Sequence, residues 1–445
     1  MLYSGFNTLH RSVIRRQTGF AARITRTLSG LLNMNADTTH SVERDGNVLK
    51  MPSLNSPFVV GNMLRTLYQG KTQRGYDDFV LDFSGSDAAF PNVCAPIAGI
   101  LDFYSSNLET SFDVQNAPDY LDRTSTFAPR IVGVDESHKH SPLDTVWKFS
   151  SSDEVHSLVN AYVGAVSSSA TCEPGVIVGL NWCLYEIMDN VLQHADTTHG
   201  YVMGQIHPAS RHIAICVYDH GRGILNSLRN SEHRPASAVD AITIALQQGV
   251  TRDTNVGQGN GMWGLYNIVD ANSGSLNVTS GAGYFGMGNG NPRTSSSVPF
   301  LNRDNNCTTV DFQIDFDKGI SVPDALGGFE PVNMRIENLE DDHDRVVYRL
   351  ADQSSGTGTR KSGEAIRNEI ANILHQTDNL IHLDFTGVSV VSSSFGDELI
   401  GKLAVVIGFI AFNQRIRLVG MNETVQSLVN HSVQQRLATG LRENE

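Results

Sequence analysis

The sequence reads as an α/β chain built in three blocks, and three observations lead to that reading. Strand-like and helix-like periodicities alternate in two flanking stretches, Pro52–Pro129 and Arg345–Leu437. A pentapeptide recurs in both, Leu81-Asp82-Phe83-Ser84-Gly85 and Leu383-Asp384-Phe385-Thr386-Gly387, each shortly before a long apolar helix, which points to an internal repeat. Between them, glycine-rich turns punctuate a separate run of helices and strands. At 445 residues the chain is also too long for one ordinary core.

Residues 1–51 read as a basic extension without order of its own. The first 36 residues carry Arg11, Arg15, Arg16, Arg23 and Arg26 and no acid, so an organelle transit segment and an upstream start (with Met34 or Met51 as alternatives) stay open. The first block, 52–130, gives a helix, a strand over Asp77–Phe83, a helix over Pro91–Ser105 and a strand over Ser111–Val114. The middle block, 145–318, starts with a helix over Ser152–Ser167, capped by Ser152, with Val155, Leu158, Val159 and Tyr162 on one face. A helix over Asn181–Ala195 and a strand over Arg211–Tyr218 follow. Ser275–Ser280 and Thr308–Phe316 supply two further strands, and Gly286–Asn306, rich in Gly, Asn and Ser, reads as a long surface loop between them. The last block, 340–440, alternates strand Val346–Leu350, a helix with Ile366, Ile370, Ile373 and Leu374 at helical spacing, strand Leu380–Phe385, helix Phe395–Phe412, strand Ile416–Val419 and helix Glu423–Leu437. The longest apolar run, Leu403–Phe412, is about half of what a bilayer-spanning helix needs and is expected to be a buried core helix.

Composition narrows the function. With 40% hydrophobic and 18% charged residues the chain resembles a soluble globular protein, expected in the cytoplasm and without a membrane span. Its formal net charge of −14 argues against wrapping nucleic acid, which needs a basic footprint. The five cysteines, Cys94, Cys172, Cys183, Cys216 and Cys307, form no CxxC pair and no Cys/His cluster. Neither a disulfide framework nor a zinc site is expected, and a reducing compartment fits.

Three motifs carry chemistry. On the Asn181–Ala195 helix, Glu186, Asn190 and His194 stand at i, i+4 and i+8 and share a face, while Ile187, Val191 and Leu192 turn to a core. An acid and an amide one turn apart suit a water and a magnesium ion beside a triphosphate. Asp219-His220-Gly221-Arg222-Gly223 follows the next strand. An acid there can accept a hydrogen bond from a base amino group, and Gly221 and Gly223 let a flat ring approach the backbone. Gly257-Gln258-Gly259-Asn260-Gly261-Met262-Trp263-Gly264 then opens a helix, where free N–H groups and the helix dipole favour phosphate. No GK[ST] ending makes it a Walker loop, and no strand immediately precedes it as a dinucleotide fingerprint requires.

Taken in this order, ExxxN, DxGxG and GxGxG resemble the N, G1 and G2 boxes of the gyrase, heat-shock chaperone, histidine kinase and mismatch-repair (GHKL) superfamily, over Glu154–Phe316. The resemblance implies an α+β sandwich, helices on a mixed, mostly antiparallel sheet, that binds ATP with Mg2+. It implies Glu186 as general base, Asn190 as the magnesium ligand, Asp219 reading the adenine amino group, and Gly257, Gly259, Gly261 and Gly264 in an ATP lid that is mobile without nucleotide. Thr308 stands where the family has a threonine beside adenine, with Cys307 in place of the usual glycine. Arg252 is a candidate phosphate contact or a solvated lid residue.

Within the superfamily, no phosphoacceptor histidine precedes the N box, and the block after it does not resemble the transducer domain of the gyrase and mismatch-repair branches. Glu186–Ala195 resembles the N box of the anti-sigma-factor serine kinases, and the flanking blocks resemble STAS domains, the fold of those kinases' partners. That resemblance implies an ATP-dependent serine kinase or an ATP-gated partner switch. Its partner would be a regulatory protein, such as one with a STAS domain or a sigma factor, and a homodimer is compatible. An ATPase whose hydrolysis opens and closes a dimer, and a non-catalytic nucleotide sensor, are the alternatives. Ser392-Ser393-Ser394 occupies the phosphoacceptor place of a STAS partner, but Ser394-x-x-Asp397 also reads as a helix cap. The matching stretch of the first block, Asp87–Pro91, has no hydroxyl.

Overall fold

The computed structural model describes residues 40–250, 260–288, 290–296, 307–331, 333–343, 345–353 and 356–442. The first block is a four-stranded sheet. Strands β1 (Glu43–Asp45) and β2 (Val48–Lys50) form an antiparallel hairpin turned at Gly46 (φ +61°), and β3 (Asp78–Asp82) and β4 (Ser111–Gln115) run parallel to β2. Helices α1 (Phe58–Arg74) and α2 (Pro91–Asn107) are its crossovers. The hairpin lies upstream of residue 52, in the segment expected to lack order. Its three-residue strands are too short to show a periodicity.

Helix α2 is apolar nearly all round, and such a helix has to be covered on all sides. One side packs on its own block. The other lies on the central sheet, where a Cβ at Gly99 would stand 2.3 Å from the Tyr218 ring and 2.9 Å from that of Tyr201. One hydrophobic cluster therefore joins Phe79, Leu81 and Ile97 of the first block to Tyr201, Met203, Cys216, Tyr218 and Cys307 of the second.

The central sheet has eight strands: β5 (Arg130–Ile131), β6 (Trp147–Phe149), β7 (Gly200–His207), β8 (His212–Asp219), β9 (Ser275–Ser280), β10 (Gly283–Gly288), β11 (Asn291–Ser295) and β12 (Thr308–Asp315). Their order is β11-β10-β9-β12-β8-β7-β6-β5, antiparallel except where β5 runs parallel to β6. The sheet thus begins at Arg130, ahead of the expected boundary at 145. The expected loop over Gly286–Asn306 contains the second half of β10 and all of β11, and residues 289 and 297–306 of it lie outside the described residues. Glycine, asparagine and serine there had masked the strand pattern.

Helices α3 (Ser152–Ser169) and α4 (Val176–His194) cover the sheet face opposite α2, followed along the chain by α5 (Gly223–Leu228), α6 (Ala238–Ala245) and α7 (Gly261–Ala271). Ser151, rather than Ser152, caps α3, accepting from the Glu154 N–H at 3.3 Å. Alternation divides β7 and β8 between two cores: Val202, Ile213, Ile215 and Val217 join α3 and α4, while Tyr201, Met203, Cys216 and Tyr218 join the first block. The result is an α/β chain with a central α+β sandwich.

The last block has three parallel strands in the order β13 (Val346–Arg349), β14 (Ile381–Asp384), β15 (Ile416–Val419), linked by α8 (Arg360–Leu374) and by α9 (Ser393–Gly396), and closed by α10 (Glu423–Arg442). It repeats the β-α-β-α-β order of the first block. The shared pentapeptide makes the same turn in both, since Asp82 accepts from the Ser84 N–H at 3.0 Å and Asp384 from the Thr386 N–H at 2.8 Å. Beyond α9 the chain continues through a π-helical stretch, Asp397–Gly401, and Lys402–Ile407, breaks at Gly408 (φ +85°) and resumes at Phe409–Arg415. Leu403–Phe412 is therefore not one buried helix: Val406 is 70% and Ile410 74% exposed. In a run apolar at every position, no periodicity says which side is inside.

The last block is fastened to the central one by side chains of α8. Asn372, 1% exposed, accepts from the Cys172 N–H at 2.7 Å and donates to the carbonyls of Ser167 (3.0 Å) and Ala170 (2.8 Å). Asn368 donates to the Ser168 carbonyl at 3.2 Å. These groups fill the C-terminal end of α3, where a helix leaves its last carbonyls unpaired.

Candidate functional site

Helix α4 places the first group of residues. It begins after Gly175, whose φ of +81° and contact with the Ile320 carbonyl (1.9 Å from a built Cβ) admit only glycine. Ile187, Met188 and Val191 anchor its inner face. Glu186, Asn190 and His194 then project together into a cavity of about 670 Å3, within the range of small-molecule sites.

Strand β8 brings Asp219 to the same cavity. The β8–β12 register sets Thr308 directly across from Asp219. Thr308 Oγ1 lies 3.1 Å from Ser280 Oγ, and Ser280 Oγ accepts the Ile224 N–H at 2.9 Å, tying the strand ends to the start of α5. Asp219 is 6% exposed and its Oδ1 accepts the Gly221 N–H at 2.9 Å. Burial pushes its carboxyl up to about 7, against which the Gly221 N–H acts weakly. A carboxylate so desolvated gains from a further donor, such as a base amino group.

The glycines are held by contact. A Cβ at Gly221 would lie 2.2 Å from the Ala195 carbonyl, and Gly223 has φ +71°. At the mouth of α7, a Cβ at Gly261 would stand 2.5 Å from Glu186 Oε2 and 3.4 Å from Asn190 Nδ2. Gly264 packs against Trp182, 2.1 Å from a built Cβ, and serves the α4–α7 contact rather than the cavity wall. Gly257, Gly259 and Arg252 lie outside the described residues.

Glu186 is pushed up to about 7, first by burial and then by the neighbouring Asp189, which is itself raised by burial. Among the described lining residues none is lysine or arginine. Arg222, close by in sequence, pairs with Asp196 at 2.5 Å. A polyanion here would rest on the backbone N–H groups opening α7 and on a bound cation. Among the described residues no group of three or more His, Cys, Asp or Glu is arranged to hold a metal by itself.

Several lining residues have no role assigned from the sequence, although Asp189, Asn260, Met262 and Trp263 lie within its motifs. Asp189 and Asn260 add polar groups, and Trp182, Met262, Trp263, Leu326 and Phe329 add apolar wall. Leu326 and Phe329 come from beyond the expected end of the block at 318, where no motif marks them; Leu326 is buried and Phe329 is 59% exposed.

In the last block, Ser392 rather than Ser394 caps α9. Its Oγ accepts from the Phe395 N–H at 3.0 Å and lies 3.0 Å from Ser394 Oγ. Asp397 instead pairs with Arg436 (2.7 Å) and Arg360 (3.4 Å).

Comparison with known proteins adds one finding on the last block. Residues 362–426 match the family described as a STAS-like domain of unknown function (DUF4325). No curated protein and no solved structure matches the chain. No helix of the described residues is long and apolar enough to cross a membrane. The chain thus carries, at its C-terminal end, a segment similar to a module associated with protein–protein contact.

Proposed function

We propose that the central block binds ATP with magnesium and that the chain is an ATP-dependent regulatory protein. In this reading it is a GHKL-type serine kinase or ATP-gated partner switch whose flanking STAS-like blocks contact other proteins. One observation carries it: Glu186, Asn190, Asp219, Gly223, Gly261 and Thr308, from five elements, all line one cavity of about 670 Å3.

The donor set fits the ligand. Asp219 and Thr308 would receive the adenine, with the Asp219 carboxylate accepting from the amino group. Glycine at 261 lets the start of α7 come up against Glu186, 2.5 Å from a built Cβ, so a phosphate held by the α7 N–H groups would lie beside that carboxylate. Asn190 would supply a ligand to magnesium, which brings charge neutralisation to the phosphates; the other ligands would come from the nucleotide and water. Glu186, with its carboxyl near 7, would take a proton from the attacking hydroxyl at physiological pH.

Incubating the pure protein with magnesium and γ-labelled ATP separates the outcomes. Label on protein supports the kinase, free phosphate an ATPase, and bound but unconsumed ATP a sensor. No binding at millimolar ATP rules the reading out.

A further inference from the structure

Glu186 also borders a second, smaller opening. A cavity of about 160 Å3 is lined by Ser152, Val155, Tyr185, Glu186 and Asp189, so the two acids belong to the walls of both cavities. Its other walls are the first turn of α3 and the α4 tyrosine. Tyr185 Oη is held by His156 Nδ1, and His156 Nε2 by Asn160 at 2.9 Å, which fixes that wall. Val155, 3% exposed, is rooted in the main core. The Ser151–Asp153 edge, by contrast, is exposed.

Size and lining limit the occupant. The volume is below what a nucleotide or other cofactor-sized ligand takes. Val155 and the Tyr185 ring offer apolar contact that a water does not use, whereas the Cβ or methyl of a hydroxylated side chain does. The two shared acids line the opening and Asp153 follows Ser152 in the chain, with no lysine or arginine in the lining, which favours a chain with basic residues beside its hydroxyl.

We propose that this small cavity is the acceptor entrance, through which a serine or threonine on a polypeptide segment, flanked by lysine or arginine, reaches ATP in the larger cavity. The inference rests on the ATP-binding reading above. The acceptor oxygen forms a bond to the γ-phosphorus, and its proton passes to the Glu186 carboxylate. The bond from that phosphorus to the β–γ bridging oxygen breaks, its electron pair stays on the oxygen, and ADP leaves. The product is a phosphate monoester on the segment.

A reversible plug tests this. Ser152→Cys places a thiol at the exposed edge, and the five native cysteines are all buried, so a benzyl methanethiosulfonate reagent should label position 152 alone. The full-length variant is assayed with magnesium and γ-labelled ATP before plugging, after plugging and after release by reductant. The expected result is an ATP affinity within twofold throughout, with label transfer to protein falling at least tenfold on plugging and returning on release. Transfer that persists past the plug overturns the proposal, as does ATP affinity lost together with transfer, or bound ATP that wild type never consumes. Label recovered only as free phosphate makes water the acceptor and overturns the polypeptide assignment. Failure of wild type to bind ATP defeats the underlying reading instead, and the titration reports that separately.

Discussion

Gly261→Ala should separate chemistry from folding more cleanly than removing an acid. The added Cβ would stand 2.5 Å from Glu186 Oε2, whereas ordinary van der Waals contact begins at 3.4 Å. The carboxylate therefore has to retreat by about 1 Å, and a misplacement of that size costs about a hundredfold in rate. It can retreat, because the contact is with the far end of a flexible side chain; the Asn190 amide, at 3.4 Å, need not move. Folding should not suffer, since Gly261 opens α7 without the positive φ that would require glycine. The variant should melt within about 2 °C of wild type or slightly above it. Steady-state consumption of γ-labelled ATP, read beside an ATP titration, should show turnover down about a hundredfold and affinity changed by less than about threefold. Turnover within twofold of wild type in a folded variant would refute the placement of the Glu186 carboxylate at the reacting phosphate.

Gly221→Ala should behave differently, because its built Cβ meets the Ala195 backbone carbonyl at 2.2 Å, which cannot swing away. Urea denaturation should show a loss of about 1–3 kcal/mol, and an unchanged midpoint would contradict the contact. Asp219→Asn tests the buried carboxyl through pH. The fold raises this acid from 3.8 to about 7, so the stability it confers is full below pH 3.8 and lost as pH rises through 7. The variant should be the more stable protein at pH 8, by up to about 4 kcal/mol, and should show a smaller loss between pH 4 and 8. Glu186 titrates in the same window, so some slope should remain; an unaltered slope counts against the buried assignment. Asn372→Ala strips partners from the buried Cys172 N–H and the Ser167 and Ala170 carbonyls. Calorimetry should show a loss of about 3 kcal/mol, with the last block melting apart from the rest. A single transition at the wild-type temperature would mean that this clasp does not join the domains.

How far the sequence could be read depends on which physical pattern each element left in it. Helix α4 was legible because its polar and apolar faces repeat with the helical period, which puts Glu186, Asn190 and His194 on one face from the sequence alone. Asp219 was legible as an acid at a strand end followed by glycines. The docking of α2 on the sheet was not: Tyr201, Met203, Cys216 and Tyr218 lie on strands buried on both faces, where alternation between polar and apolar residues fades. The capping serines were each misplaced, because neighbouring serines at 151 and 152, and at 392 to 394, are equivalent by propensity and only backbone direction selects one. Asn368 and Asn372 sit on the polar stripe of α8 and read as solvated until the end of α3 is laid against them. Leu326 and Phe329 reach the cavity by chain return, which no local pattern encodes.

The central claim is that Asp219 reads a nucleotide base in the 670 Å3 cavity. Titration of wild type and Asp219→Asn with ATP and magnesium, at a pH where both are folded, tests it most directly. The asparagine presents a donor toward the adenine amino group, and the unpaired groups cost about 1–3 kcal/mol, which is about ten- to a hundredfold in affinity. The account predicts binding by wild type and that loss in the variant. Equal affinity in the two folded proteins, or no binding by wild type, would contradict it.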